Sequence, residues 1–312
     1  MAGILCAVDV LLRRPPGPAR TASAGSLHGV QPQFVLTLSC ADRPGIVHAV
    51  AGRLADAGCN ILDSQQFGDA FTGRFFMRVH ISGPAGRGAP ELREQFAPVA
   101  TDFGMDWEVH DLSVRPRVLI LVSKLGHCLN DLLFRRETGA LKIDVPAIVS
   151  NHPDFAALAR WHGVPFHHLP VTPDSKPEAE AKLRALVDEH QIDLVVLARY
   201  MQVLSDDLCR DLAGRAINIH HSFLPSFKGA RPYHQAHARG VKVIGATAHY
   251  VTAALDEGPI IEQEVARVDH TDSPDDMVAV GRDVECLALS RAVRWHVEHR
   301  VLLNGDRTVV FR

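Results

Sequence analysis

Arg117-Val-Leu-Ile-Leu-Val122 is apolar on both faces, as a parallel strand covered from both sides must be. Similar short runs recur downstream at Ala147 to Ser150, Phe166 to Leu169 and Asp193 to Ala198. Between them lie stretches at helical spacing: Leu129 to Glu137, Phe155 to His162 and Glu178 to His190. The last follows Ser175-Lys-Pro-Glu178, which has capping-box spacing with Pro inside the first turn. Alternating strands and helices predict an open, mainly parallel α/β sheet with right-handed crossovers. Ligands of such sheets sit beyond the carboxyl ends of the strands. After Val241 two longer strands are expected, Lys242 to Val251 and Pro259 to Val268. A long helix should start at Ser273-Pro274, a cap followed by Pro at the first helical position.

Upstream of a short linker, Ser113 to Pro116, the pattern differs. Phe34 to Cys40 reads as a strand. Ile46 to Ala57 reads as a helix with Val47, Val50, Ala51 and Leu54 on one face, ended by Gly58. Two strands, Asn60 to Phe67 and Arg74 to Ile81, flank a turn; a helix at Glu91 to Phe103 and a strand at Asp106 to Leu112 complete the unit. The order β-α-β-β-α-β is ferredoxin-like. Residues 1–33 hold three arginines against a single acid, with Pro15-Pro-Gly-Pro18 unable to continue a helix. They read as a disordered extension; a transit peptide would want a longer amphipathic stretch. The expected division is therefore 1–33 extension, 34–113 first domain and 117–312 second domain.

A chain of 312 residues suits two domains of about 150 residues. With 46% hydrophobic and 22% charged residues, wholesale disorder is excluded. A formal charge of −3 offers no basic surface for nucleic acid. The longest clean apolar runs, Val118 to Val122 and Leu194 to Ala198, fall far short of the ~18 residues a membrane span needs. Six scattered cysteines without a C-x-x-C pair suit reduced thiols in the cytosol. The 18 histidines include no H-E-x-x-H, and neither His234/His237 nor His296/His299 has a further ligand at metal-site spacing. No metal is expected.

The densest polar cluster is Ile217-Asn-Ile-His-His-Ser-Phe-Leu-Pro-Ser226. Asn218 and His220 are two apart, so on an extended segment they face one way while Ile217 and Ile219 face the core. An amide donor beside a titratable imidazole is what a tetrahedral intermediate at a carbonyl needs. The same spacing also suits a satisfied polar pair in a strand. A second element, Leu255-Asp-Glu-Gly-Pro259, follows a strand on which Thr247 and His249 alternate. Asp256 is either turn chemistry or a carboxylate presented to polarise an imidazole or hold a water.

Asn218-Ile-His220 with Leu-Pro225 downstream, Gly245 to Thr252, and Leu-Asp256-Glu-Gly258-Pro259 together resemble the formyltransferase fold that uses formyltetrahydrofolate. The likeness runs from about Arg117 to His299. It implies that Asn218, His220 and Asp256 form the catalytic group. It also implies that the Ala198 to Ser205 stretch binds the pterin ring, with Arg199, Met201, Gln202, Val203, Leu204 and His249 as substrate-binding residues. Residues 34–113 resemble an ACT domain, with Asp42-Arg-Pro-Gly-Ile-Val47 as its first loop. Such domains pair side by side and bind a small amino acid, here methionine or glycine, which implies effector residues Asp42, Gly45, Ile46 and Asn60 and a homo-oligomer.

An ACT domain followed by a formyltransferase domain is the layout of the formyltetrahydrofolate deformylase family, which the chain resembles as a whole. The Pro225 to Ala230 and Pro232 to Ala236 runs look like that family too. A methionyl-tRNA formyltransferase would carry a further domain where only a short tail follows the last helix. The expected fold is thus α/β: a ferredoxin-like ACT domain and an open sheet of formyltransferase type. The implied function is hydrolysis of 10-formyltetrahydrofolate to formate and tetrahydrofolate, supplying formate for purine synthesis and balancing one-carbon pools. The implied enzyme is cytoplasmic, with no cofactor besides the folate substrate and no nucleic-acid or membrane partner. Either His220 or Asp256 can be the base, since their titrations are coupled. In glycinamide ribonucleotide transformylase the loop after the first α/β strand is small-residue-rich and cradles the acceptor's phosphate. Here Ser123-Lys-Leu-Gly-His-Cys128 is crowded, which suits water as acceptor. A formyltransferase to an amine such as glycinamide ribonucleotide is the alternative enzyme. An amino-acid-binding regulator with an inert catalytic half is the non-enzymatic one.

Overall fold

The computed structural model describes residues 31–222 and 232–312. Nearly all of the expected extension and the Leu224 to Ala230 run lie outside the described residues. The first unit comprises β1 (Gln33–Ala41), α1 (Ile46–Asp56), β2 (Asn60–Asp69), β3 (Arg74–Ser82), α2 (Ala89–Phe103) and β4 (Asp106–Asp111). Its antiparallel sheet has the order β2-β3-β1-β4, the ferredoxin-like arrangement. Ile46, Val50 and Leu54 of α1 pack with Leu92, Phe96 and Ala100 of α2 over Leu36, Leu38 and Met77 of the sheet. Val47, expected on that inner face, is 40% exposed. The helix begins one residue past a left-handed Gly45 (φ +97°), and that entry angle puts the 46/50/54 stripe inward instead.

The second unit opens with β5 (Val118–Val122), α3 (His127–Glu137), β6 (Ile148–Ser150), α4 (Ala156–Trp161), β7 (Phe166–His168), α5 (Lys176–Glu189) and β8 (Leu194–Leu197). It continues through α6 (Asp206–Asp211), β9 (Ala216–His220), α7 (Pro232–Arg239), β10 (Val243–Tyr250), β11 (Ile260–Arg267) and α8 (Pro274–Val297). Seven strands run in the order β11-β10-β9-β8-β5-β6-β7. Those from β7 to β9 are parallel, and β10 and β11 add antiparallel strands at one edge. Every residue of β5 is buried, with Val118, Ile120 and Val122 in the core under α3 and α8 and Leu119 and Leu121 in the core under α5. Chain order turns back at β5, which has β6 on one side and β8 on the other. The loops leaving β5 and β8 therefore diverge and leave a crevice beyond their carboxyl ends.

Ser273 accepts from the N–H of Asp276 and Asp276 accepts in return, closing a capping box at the start of α8. The box expected at Ser175 does not form: Ser175 Oγ accepts from the N–H of Thr172 at 2.9 Å and makes no cap bond to α5. Past α8, where only a tail is expected, β12 (Val301–Asn304) and β13 (Arg307–Val310) form a hairpin. The Gly305-Asp306 pair that forms its two-residue loop, with Gly305 at φ +62° at the first position, is the sequence signal for it. This end of the chain docks on the first sheet. Arg78 of β3 donates to the carbonyls of Glu298 and His299, both at 3.0 Å, and Asn304 donates to Asp69 at 2.7 Å. No helix among the described residues is long and apolar enough to cross a membrane.

Candidate active site

β9 delivers two polar side chains on one face because Ile217 and Ile219 take the other into the core. Asn218 pairs in register with Leu197 of β8 on one side and with His249 of β10 on the other, and His220 lies opposite Thr247. Cross-strand neighbours lie within side-chain reach, and Asn218 Nδ2 stands 3.3 Å from His249 Nε2. The His249 ring, 2% exposed, uses its Nδ1–H on the Tyr250 carbonyl at 2.9 Å. That leaves Nε2 as the acceptor for the amide. Burial lowers the His249 pKa, in keeping with this neutral tautomer. His249, expected among the substrate-binding residues, is held against the Asn218 amide.

Asp256 adopts φ +57° in the turn between β10 and β11, a left-handed conformation that Asp tolerates better than most residues. Its Oδ2 is 3.3 Å from His220 Nδ1 and its Oδ1 is 3.8 Å from His249 Nε2. The hydrogen bond from His220 holds the Asp256 carboxyl below its ordinary value, against the opposing effect of burial. With Nδ1 engaged, the buried Nε2 of His220 has no partner among the described residues. The neighbouring His221 ring stacks on His220 at 4.8 Å, and burial pushes its pKa down to about 4, keeping it neutral.

The Asp256 turn closes tightly because residue 258 has no side chain. A Cβ on Gly258 would lie 1.8 Å from the Tyr250 carbonyl oxygen. Gly258→Ala is therefore expected to force the turn off β10, at about 1–3 kcal/mol of stability. Thermal melting and turnover should both fall; a variant with unchanged melting and turnover refutes this close approach.

Asn218, His220, His221, His249 and Asp256 line a cavity of about 260 Å³ together with Arg199, Met201, Gln202, Val203 and Leu204. The expected catalytic group and the expected substrate segment thus share one cavity. Met201 and Val203 are both 58% exposed, whereas Arg199 and Leu204 are buried. The segment is laced to the loop after β5: Ser123 Oγ accepts from the Met201 N–H at 2.9 Å and donates to Asn151 Oδ1 at 2.7 Å. Three residues outside the expected site, His127, Tyr233 and Glu285, meet at Arg199 beside this cavity. Glu285 of α8 meets His127, Tyr233 and Arg199. Among the described residues, His127, Cys128 and Glu285 alone have ligand-like spacing for a metal, but the Arg199 guanidinium stands against the same carboxylate.

The expected effector residues are not brought together within one chain. Asp42, Gly45 and Ile46 follow β1, whose last residue pairs with Arg74, while Asn60 pairs with Ser82 at the other end of β3. Eight residues of strand separate those ends, about 26 Å at ~3.3 Å per residue. The cause is α1, which carries the chain back along the sheet before β2 begins. Ile46 moreover points into the core, so only its backbone faces the loop.

Residues 116–293 match the formyl transferase family and residues 34–91 match the ACT domain family. The formyltetrahydrofolate deformylase of Corynebacterium sp. strain P-1 is 56% identical over 286 residues, covering 90% of this chain and 99% of that protein. The crystal structure of formyltetrahydrofolate deformylase from Burkholderia mallei superposes with a TM-score of 0.86 at 57% identity, over 90% of this chain and 100% of that one. Glycinamide ribonucleotide transformylase 1 from Symbiobacterium toebii is more distant: TM-score 0.60 at 31% identity, over 65% of this chain and 97% of that one.

Proposed function

The chain belongs to the formyltetrahydrofolate deformylase family, and we propose that Asn218, His220 and Asp256 carry out its reaction. The enzyme hydrolyses 10-formyltetrahydrofolate to formate and tetrahydrofolate. Hydrolysis is favoured over transfer to an amine because the deformylase likeness spans nine-tenths of the chain, whereas the transformylase likeness spans about two-thirds at lower identity. The observation that carries the assignment of residues is the single cavity holding the three groups beside the 199–204 segment.

An amide nitrogen carries two hydrogens. One of Asn218 is taken by His249, and the other is available to the formyl oxygen as charge develops on it. His220, held by Asp256 through Nδ1, offers Nε2 to the same region. Water adds to the formyl carbon, its proton passing to the Asp256–His220 pair. The C–N bond then breaks as N10 takes up a proton. These steps ask for no metal and no cofactor beyond the folate. Incubation with formyl-folate and no acceptor should release formate, before and after dialysis against a chelator. Release only on addition of an amine would favour transfer, and loss restored by zinc would place a metal in the reaction.

The formate so released feeds purine synthesis and balances the one-carbon pools, and the enzyme is cytoplasmic. The division at 34–113 and 117–312 is supported by separate hydrophobic cores in the two units. A homo-oligomer is supported by β2, an edge strand exposed along nearly its whole length, with Ile61, Leu62 and Phe67 presented to solvent. Unpaired edges of this kind invite pairing with a second copy. Antiparallel pairing of two β2 strands would carry Asn60 of one copy to the Asp69 end of the other. There a Cβ on Gly68 would lie 3.0 Å from Asp42. The four effector residues would then meet across the two-fold axis, where Gly45 and the start of α1 favour the carboxylate of methionine or glycine. Ile61→Lys with Leu62→Lys is expected to reduce the assembly mass and abolish the response of turnover to the amino acid. Analytical ultracentrifugation paired with assays checks both, and a retained response in a dissociated variant refutes the shared site.

A further inference from the structure

Glu285 lies midway along α8 and is 1% exposed. A buried carboxylate persists only where partners compensate its lost hydration. Three other segments supply them. His127, at the start of α3, brings Nε2 to 2.7 Å from Oε2, and the Tyr233 hydroxyl of α7 donates to Oε1 at 2.9 Å. The third partner is Arg199, whose Nε stands 3.4 Å from Oε2.

Arg199 is the first residue of the 199–204 segment. It is 8% exposed and sits at φ +64°, where glycine rests freely and a long side chain does not. Its guanidinium must therefore be held by contacts that outweigh that strain, and Glu285 offers the opposite charge. The segment's far end is fixed in a parallel way. Buried Glu180 of α5 accepts from the Ser205 N–H at 2.8 Å and from the Ser205 hydroxyl. The chain between thus has a buried helix carboxylate at each end, ion-paired with the Arg199 guanidinium at one and hydrogen-bonded to Ser205 at the other.

We propose that Glu285 is a positioning residue for folate: through Arg199 it holds the 199–204 segment in its binding shape and touches no reacting atom. This rests on reading that segment as the folate-binding loop. Glu285→Gln keeps size and hydrogen-bonding capacity but removes the charge facing Arg199. Arg199→Met removes the partner while leaving the backbone strain unchanged. Each is expected to raise KM for 10-formyltetrahydrofolate about tenfold with kcat within about threefold, and the double variant should do no more than either single one. Tyr233→Phe, which removes one hydrogen bond and leaves the fold the least disturbed, should raise KM about threefold. It serves if Glu285→Gln fails to fold.

A fall in kcat at unchanged KM would overturn the proposal, as would multiplicative effects in the double variant or an unchanged KM in Tyr233→Phe. Val203→Asp, within the segment itself, is the reference. An unchanged KM there refutes the folate-loop reading. A raised KM there with a normal KM in Glu285→Gln refutes only the role of Glu285.

Discussion

Asn218→Ala is expected to lower kcat for formate release by about 10²–10³, the usual effect of removing one oxyanion donor. The Asn218 amide is fixed in place by its contact with His249 Nε2 at 3.3 Å. His249 Nε2 is an acceptor, and its other ring nitrogen is spent on the Tyr250 carbonyl. KM should change far less, because the proposed folate contacts lie in the 199–204 segment and not at this amide. The expected pattern is thus opposite to that of Glu285→Gln, and steady-state kinetics on both variants separate chemistry from binding. A normal kcat with a raised KM in Asn218→Ala would remove Asn218 from the chemistry.

Asp256→Asn is expected to cost about 10³–10⁴ in kcat, as when the carboxylate behind a catalytic histidine is neutralised without changing its shape. Asp256 contacts both His220 and His249, so an amide there can also impose the wrong tautomer on His220. The pH dependence follows from the direction of its shift. Its carboxyl is held below the ordinary value of 3.8, chiefly by the His220 hydrogen bond. The anion is therefore present throughout the range above that value. Its contribution to activity and to stability is complete there and is lost only as pH falls through the depressed folded value. Wild-type enzyme should show no acid limb from this group above pH 4, and acid unfolding of Asp256→Asn should lack that component. Full turnover in Asp256→Asn at pH 7 would exclude it as base or orienter.

Much of the site was legible because it depends on local geometry. Asn218 and His220 share a face by strand alternation alone, and Asp256 sits in a turn announced by Glu-Gly-Pro259. The role of His249 needed the β9–β10 register, which only the paired strands supply. Glu285 was missed altogether, although a signal existed. It falls on the stripe of α8 that also carries Met277, Gly281, Val284, Ala288 and Ala292, and a charge on an apolar stripe asks for buried partners. Those partners are distant in sequence, so no spacing could name them. The β12–β13 hairpin was likewise announced by its Gly305-Asp306 loop.

By itself the sequence determined the two architectures and the order of most of their elements. Period-two and period-3.6 patterns, caps and turn residues act over a few neighbours, and they specify elements through the burial of one face. Tertiary structure alone decided which side chains meet. It set Asp256 3.3 Å from His220, gathered His127, Arg199 and Tyr233 around Glu285, and sent Asn60 to the far end of the sheet from Asp42. These contacts follow from strand order and helix crossings, which bring together residues up to 158 positions apart in the case of His127 and Glu285. No local pattern encodes such distances, because what selects them is the packing of whole elements around a shared core.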